Sequence, residues 1–68
     1  MVIEVTDFER LRQGMRVRKY LDSNRTSYKD GTVVKGLYGD GFAHVQWDGE
    51  NQLDMSVNLY DVVVLKGK

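Results

Sequence analysis

From Met15 onward the apolar residues of this chain recur at every second position, a period that commits it to half-buried β-strands. The clearest stretch is Phe42 to Asp48, where Ala43, Val45 and Trp47 point one way and Phe42, His44 and Gln46 the other. Met15, Val17, Lys19 and Leu21 make a similar inner row, with Arg16, Arg18 and Tyr20 on the opposite face. Thr32 to Tyr38 is a β-rich strand in which Gly36 is a candidate bulge. Gln52 to Val57 is expected to turn Leu53, Met55 and Val57 inward, and Val62 to Leu65 to close the fold. The connections are a long polar loop over residues 22–31, a tight turn at Gly39-Asp40-Gly41, a turn at Asp48-Gly49-Glu50-Asn51, and a short turn over Asn58 to Asp61. Upstream, Thr6-Asp7-Phe8-Glu9 has the form of a capping box, Phe8 and Leu11 share a helical face, and Gly14 is a helix stop. The expectation is an all-β domain over residues 1–68, five strands closed into a small barrel, with a short N-terminal helical turn.

Size then limits what can stabilise it. A chain of 68 residues buries only about 60% of the surface its unfolded form exposes. No cysteine is present, which excludes disulfides and thiolate zinc sites, and His44 is the lone histidine, which excludes a His-rich metal site. The longest apolar run, Val62 to Leu65, is far short of the ~20 residues that span a bilayer. The first residues lack the basic start and apolar stretch of a secretion signal, so a cytoplasmic location is expected.

Gly14-x-Arg16-Val17, Gly31-Thr32-Val33, Val45-x-Trp47-Asp48 and Leu59-x-x-Val62 together resemble SH3-like barrels, a rhythm shared by Tudor, KOW and Mib/Herc-type domains. The resemblance spans about residues 11–65 and rests mostly on core and turn positions, so it implies a fold more than a function. A narrower likeness joins Gly14 to Lys19 and Ser56 to Val62 to the plasmid-borne type II dihydrofolate reductases, SH3-like homotetramers whose pore binds NADPH and dihydrofolate. That resemblance implies a pore role for Lys19, Asn58 and Tyr60. Asn58, however, stands where the family has a glutamine one methylene longer.

Chemistry-bearing residues are few. Arg10, Arg12, Arg16, Arg18 and Lys19 with Tyr20, then Arg25, Tyr28 and Lys29, form a basic and aromatic cluster of the kind that binds single-stranded nucleic acid, phosphates on the cations and bases on the rings. Against this, ten acidic residues offset ten basic ones, whereas nucleic-acid domains carry a basic excess. The excess is local: residues 1–35 carry eight basic and five acidic side chains, and residues 36–68 two and five. Tyr20, Tyr28, Tyr38, Phe42 and Trp47 could line a cage for a methylated ammonium, but the alternation of Trp47 with Val45 places it in the core. Asp48, Glu50 and Asp54 bracket a glycine turn, where carboxylates solvate the turn more often than they do acid–base work. Ser23, Ser27 and Ser56 lack a partner base, and no phosphate-binding glycine loop precedes a helix.

The expected function is therefore a non-enzymatic interaction module with no cofactor and no metal. It engages a protein partner through Arg16, Arg18, Tyr20, Arg25, Tyr28 and Lys29 on an outer strand face and the 22–31 loop. Nucleic acid is the alternative ligand for the same residues, and a type II reductase-like homotetramer using Lys19, Asn58 and Tyr60 is the enzymatic alternative. Self-association is left open.

Overall fold

The computed structural model describes residues 2–6, 10–36 and 42–67. It is all-β: β1 (Val2–Val5), β2 (Arg16–Tyr20), β3 (Tyr28–Lys35), β4 (Ala43–Trp47), β5 (Leu53–Val57) and β6 (Val63–Gly67), with a 3-10 turn over Leu59–Asp61 before β6. All pairings are antiparallel, in the order β1-β6-β2-β3-β4-β5. Among the described residues the strand count is thus six, not five, and the ladder is open, with β1 and β5 as its edges. The sixth strand is Val2–Val5, whose β-branched residues pair with Val64–Gly67.

The core collects Leu11, Val17, Val33, Ala43, Val45, Trp47, Val57, Val62 and Val64, with Val5, Met15 and Leu59 packed against it. The alternation in β4 holds as expected, since Ala43, Val45 and Trp47 are all fully buried. β3 and β4 approach closely here. Gly31 lies opposite Trp47, and a Cβ at Gly31 would come within 2.7 Å of the indole. Two glycines take the left-handed backbone their turns need, Gly14 (φ 91°) and Gly49 (φ 81°).

Several expectations need correction. Of the N-terminal helical turn, Asp7, Phe8 and Glu9 lie outside the described residues; Arg10 to Arg12 are not helical, and Leu11 reaches the core from an irregular segment. Gly39-Asp40-Gly41 and Tyr38 also lie outside the described residues. The long loop is shorter than 22–31, because Tyr28 to Gly31 belong to β3. Asp22 closes it early: its carboxylate accepts from the backbone N–H of Thr26 (2.8 Å), the Thr26 hydroxyl and the N–H of Ser27, while Leu21 N–H donates to Ser27 O (2.8 Å). These bonds, led by the Thr26 hydroxyl, hold the Asp22 carboxyl below its ordinary range. Leu21 leaves the inner row for the same reason and is exposed.

The irregularity expected at Gly36 falls two residues earlier, at Val34. Val33 pairs with Val45 but Lys35 with His44, so Val34 is the extra residue. A second shift in β5 overturns its inner row. Ala43 pairs with Val57 but Val45 with Asp54, which inserts one residue and exchanges the faces between them. Leu53 and Met55 are exposed as a result (37% and 61%), and Asp54 turns in beside Trp47. A carboxylate turned inward and a bulge both discourage further pairing along the β5 edge. No helix of the described residues is long and apolar enough to cross a membrane.

Candidate interaction surface

The outward row of β2 and that of β3 face each other in register, Arg16 with Thr32, Arg18 with Asp30 and Tyr20 with Tyr28. Each cation therefore meets an acceptor or a ring. Arg18 grips Asp30 with two bonds, Nε to Oδ1 at 2.8 Å and Nη2 to Oδ2 at 3.2 Å, and its Nη1 lies 3.6 Å from Glu4 Oε2. Its guanidinium carbon also stands 3.9 Å from the centre of the Tyr28 ring. Arg16 donates to Thr32 Oγ1 at 2.9 Å and to both oxygens of Asp48, at 2.9 and 2.6 Å.

The 21–27 loop adds Arg25, held in the left-handed region at φ 60°. Its Nη2 donates to Glu4 Oε1 at 2.9 Å, and its guanidinium carbon is 4.2 Å from the Tyr20 ring centre. The Tyr20 hydroxyl donates to the other Glu4 oxygen at 2.7 Å. Tyr20 and Tyr28 meet edge to face, 5.9 Å between centroids and 68° between planes. Glu4, from β1, is the hub of this lattice.

The lattice is electrically matched: Arg16, Arg18 and Arg25 stand against Glu4, Asp30 and Asp48. Hydrogen bonding to Asp30 raises the Arg18 pKa, bonding to Asp48 raises that of Arg16, and Arg16 in turn lowers the Asp48 carboxyl. Solvent screening keeps the contribution of the exposed Arg16–Asp48 and Arg25–Glu4 pairs to stability small. Their larger effect is to fix the side chains and to leave little net charge. Next to the lattice, on the same outer face, is a concavity of about 230 Å³ lined by Val2, Arg16, Arg18, Asp30, Leu65 and Gly67.

Of the residues expected to form the site, Arg16, Arg18, Tyr20, Arg25 and Tyr28 come together. Lys29 does not. It opposes Lys19 on the other face, with its ammonium 4.8 Å from the Trp47 ring centre and 3.3 Å from Glu50. Arg10 and Arg12 are exposed and precede β2. The residues of the reductase-like alternative are arranged for other tasks. Asn58 caps the 3-10 turn, its side-chain oxygen accepting from Tyr60 N at 2.8 Å, and Tyr60 is 87% exposed. Lys19 is half-buried in the row of Val17.

The aromatic rings do not gather into a cage among the described residues. Trp47 is sealed in the core, Tyr20 and Tyr28 are on the outer face, and Phe42 stands exposed. The three carboxylates around Gly49 also part company, Asp48 to Arg16, Glu50 to Lys29 and Asp54 to the Trp47 indole. Among the described residues no cluster of His, Asp and Glu could hold a metal ion.

Sequence reasoning missed Glu4, Asp30, Val2, Leu65 and Gly67. A signal for Asp30 was present. Arg18/Asp30, Lys19/Lys29 and Tyr20/Tyr28 are mirror positions about Asn24, which is the pairing a hairpin centred there creates. Nothing local marks Glu4, whose partners are brought to it only through β6. No family model, curated protein or solved structure matches the chain.

Proposed function

We propose that this chain is a non-enzymatic interaction module with an SH3-like barrel fold, and that it binds a protein partner through the outer face of β2 and β3 and the 21–27 loop. The fold reading is supported by the β2-β3-β4-β5 meander, the 3-10 turn that follows it, and the return of the last strand to pair with β2. The functional reading rests on one observation: every arginine of this face is already matched by a carboxylate of the same face, beside two tyrosines packed edge to face. Tyrosine and arginine held rigid are what protein interfaces concentrate at their centres. A phosphate backbone, in contrast, would have to displace Asp48, Asp30 and Glu4 and would find no basic excess in return.

The test is an amide NMR titration in two arms. One uses a single-stranded oligonucleotide of mixed sequence at low salt. The other uses the most enriched peptide from a random-peptide display selection on the immobilised protein. The peptide is expected to shift residues 16–20, Arg25 and Tyr28, and Tyr28→Ala is expected to weaken it about tenfold or more. Salt-sensitive oligonucleotide shifts at the same residues would transfer the surface to nucleic acid. Peptide shifts confined to other strands would overturn the assignment of the face.

A further inference from the structure

The lining of the concavity beside the tyrosine lattice includes Gly67, which carries no side chain. Leu65 and Gly67 are two apart on β6, so both face outward, and Val2 is the cross-strand partner of Gly67. A side chain at Gly67 would stand on that outer face beside Val2, and among the described residues a Cβ built there meets no atom within 4 Å. No described side chain fills the depression at this point. Arg16, Arg18 and Asp30 complete its lining.

We propose that this concavity seats one uncharged apolar side chain of the partner, and so acts as the anchor subsite of the proposed interface. The inference rests on the protein-binding reading of the face and adds the chemistry of what is recognised. Size is the first argument. A dry cavity of about 150 Å³ takes up benzene, so about 230 Å³ suits a single branched aliphatic or aromatic side chain and not a cofactor. Charge is the second. The two guanidiniums in the wall are each held by two hydrogen bonds to a carboxylate, Arg16 by Asp48 and Arg18 by Asp30. An acidic occupant would be brought against Asp30, beside guanidiniums whose charge is already matched, and a basic occupant would meet the guanidiniums themselves. An uncharged side chain meets neither repulsion and covers the exposed Val2. Continuity is the third, because Arg18 both lines the concavity and stacks on Tyr28.

The experiment uses N-acetyl-leucinamide and N-acetylaspartate as separate probes of the whole protein, read by amide and methyl NMR. N-acetyl-leucinamide is expected to shift Val2, Arg16, Arg18, Leu65 and Gly67 with the millimolar affinity such a small occupant allows, and N-acetylaspartate to leave them in place. Gly67→Val fills the concavity from its rim without touching the core, so its spectrum should keep the wild-type dispersion while the leucinamide shifts vanish. The same variant should weaken the display-selected peptide at least tenfold. A preference for N-acetylaspartate, absence of shifts up to the solubility limit, or undiminished peptide binding by Gly67→Val each overturns the subsite. If Tyr28→Ala abolishes peptide binding while Gly67→Val does not, the face remains a protein surface and only the anchor is lost. If neither variant matters, both readings fall.

Discussion

Gly31→Ala is expected to remove about 3 kcal/mol or more of folding stability, the largest effect of a methyl added at any described glycine. A Cβ at this position would lie 2.7 Å from Cε3 of Trp47, 2.8 Å from the Gln46 carbonyl oxygen and 2.8 Å from Cγ1 of Val45. One of these is backbone and the other two belong to fully buried side chains, so none is a flexible end that can swing away. Overpacking of a core costs about 1–3 kcal/mol and at times more, and a domain of this size has only about 5 kcal/mol in total at the low end of the usual range. The urea midpoint should therefore fall by more than about 1 M. Gly49→Ala serves as the contrast. Its Cβ meets nothing, but its φ of 81° is left-handed, so the cost should be only about 1 kcal/mol. Equal midpoints for Gly31→Ala and the wild type would mean that β3 and β4 do not approach as described.

The same contact shows how unevenly the fold could be read from the chain. Ala43, Val45 and Trp47 declare their face because a two-residue period survives intact through β4. Leu53 and Met55 show the same period and are on the wrong side, because one inserted residue in β5 exchanges inside and outside without altering composition. Such a shift is decided by the partner strand, not by the strand itself. β1 went unread for a related reason: Val2 to Val5 becomes a strand only because β6 offers it an edge. On the candidate surface, the shared face of Arg16, Arg18 and Tyr20 followed from alternation alone. Their neutralisation did not, since Glu4, Asp30 and Asp48 reach them across strands. Tyr28, Lys29 and Asp30 look like loop residues because their side chains are polar, yet they form β3 by opposing side chains of β2. The basic appearance of the N-terminal half was thus a property of sequence order and largely disappears on this face.

Asp54→Ala is the second large effect expected. The Asp54 carboxylate accepts from Trp47 Nε1 at 3.0 Å and from the Ser56 N–H and hydroxyl at 3.1 and 3.0 Å. Removing it strands the indole N–H of a buried ring, a loss of about 1–3 kcal/mol. In a Trp47→Phe background the same replacement should cost distinctly less, because the donor is gone, and the difference isolates the bond. Acid should report on it too. The bond to Trp47, with those to Ser56 and the positive charge of Lys19, holds the folded Asp54 carboxyl below its ordinary value. In acid the unfolded chain then binds more protons than the folded one, so stability rises with pH. The Asp54 contribution is complete above the unfolded pKa, about 4, and is lost as pH falls through the lower folded one. Asp54→Asn keeps an acceptor oxygen but cannot titrate. It should therefore sit between wild type and Asp54→Ala at neutral pH and lose stability less steeply in acid. Asp22 and Asp48, lowered by their own partners, keep part of the slope in every variant. If Asp54→Asn retains the full wild-type acid slope, the carboxylate is not what holds Trp47. Urea midpoints of the three proteins across the acid range decide the point.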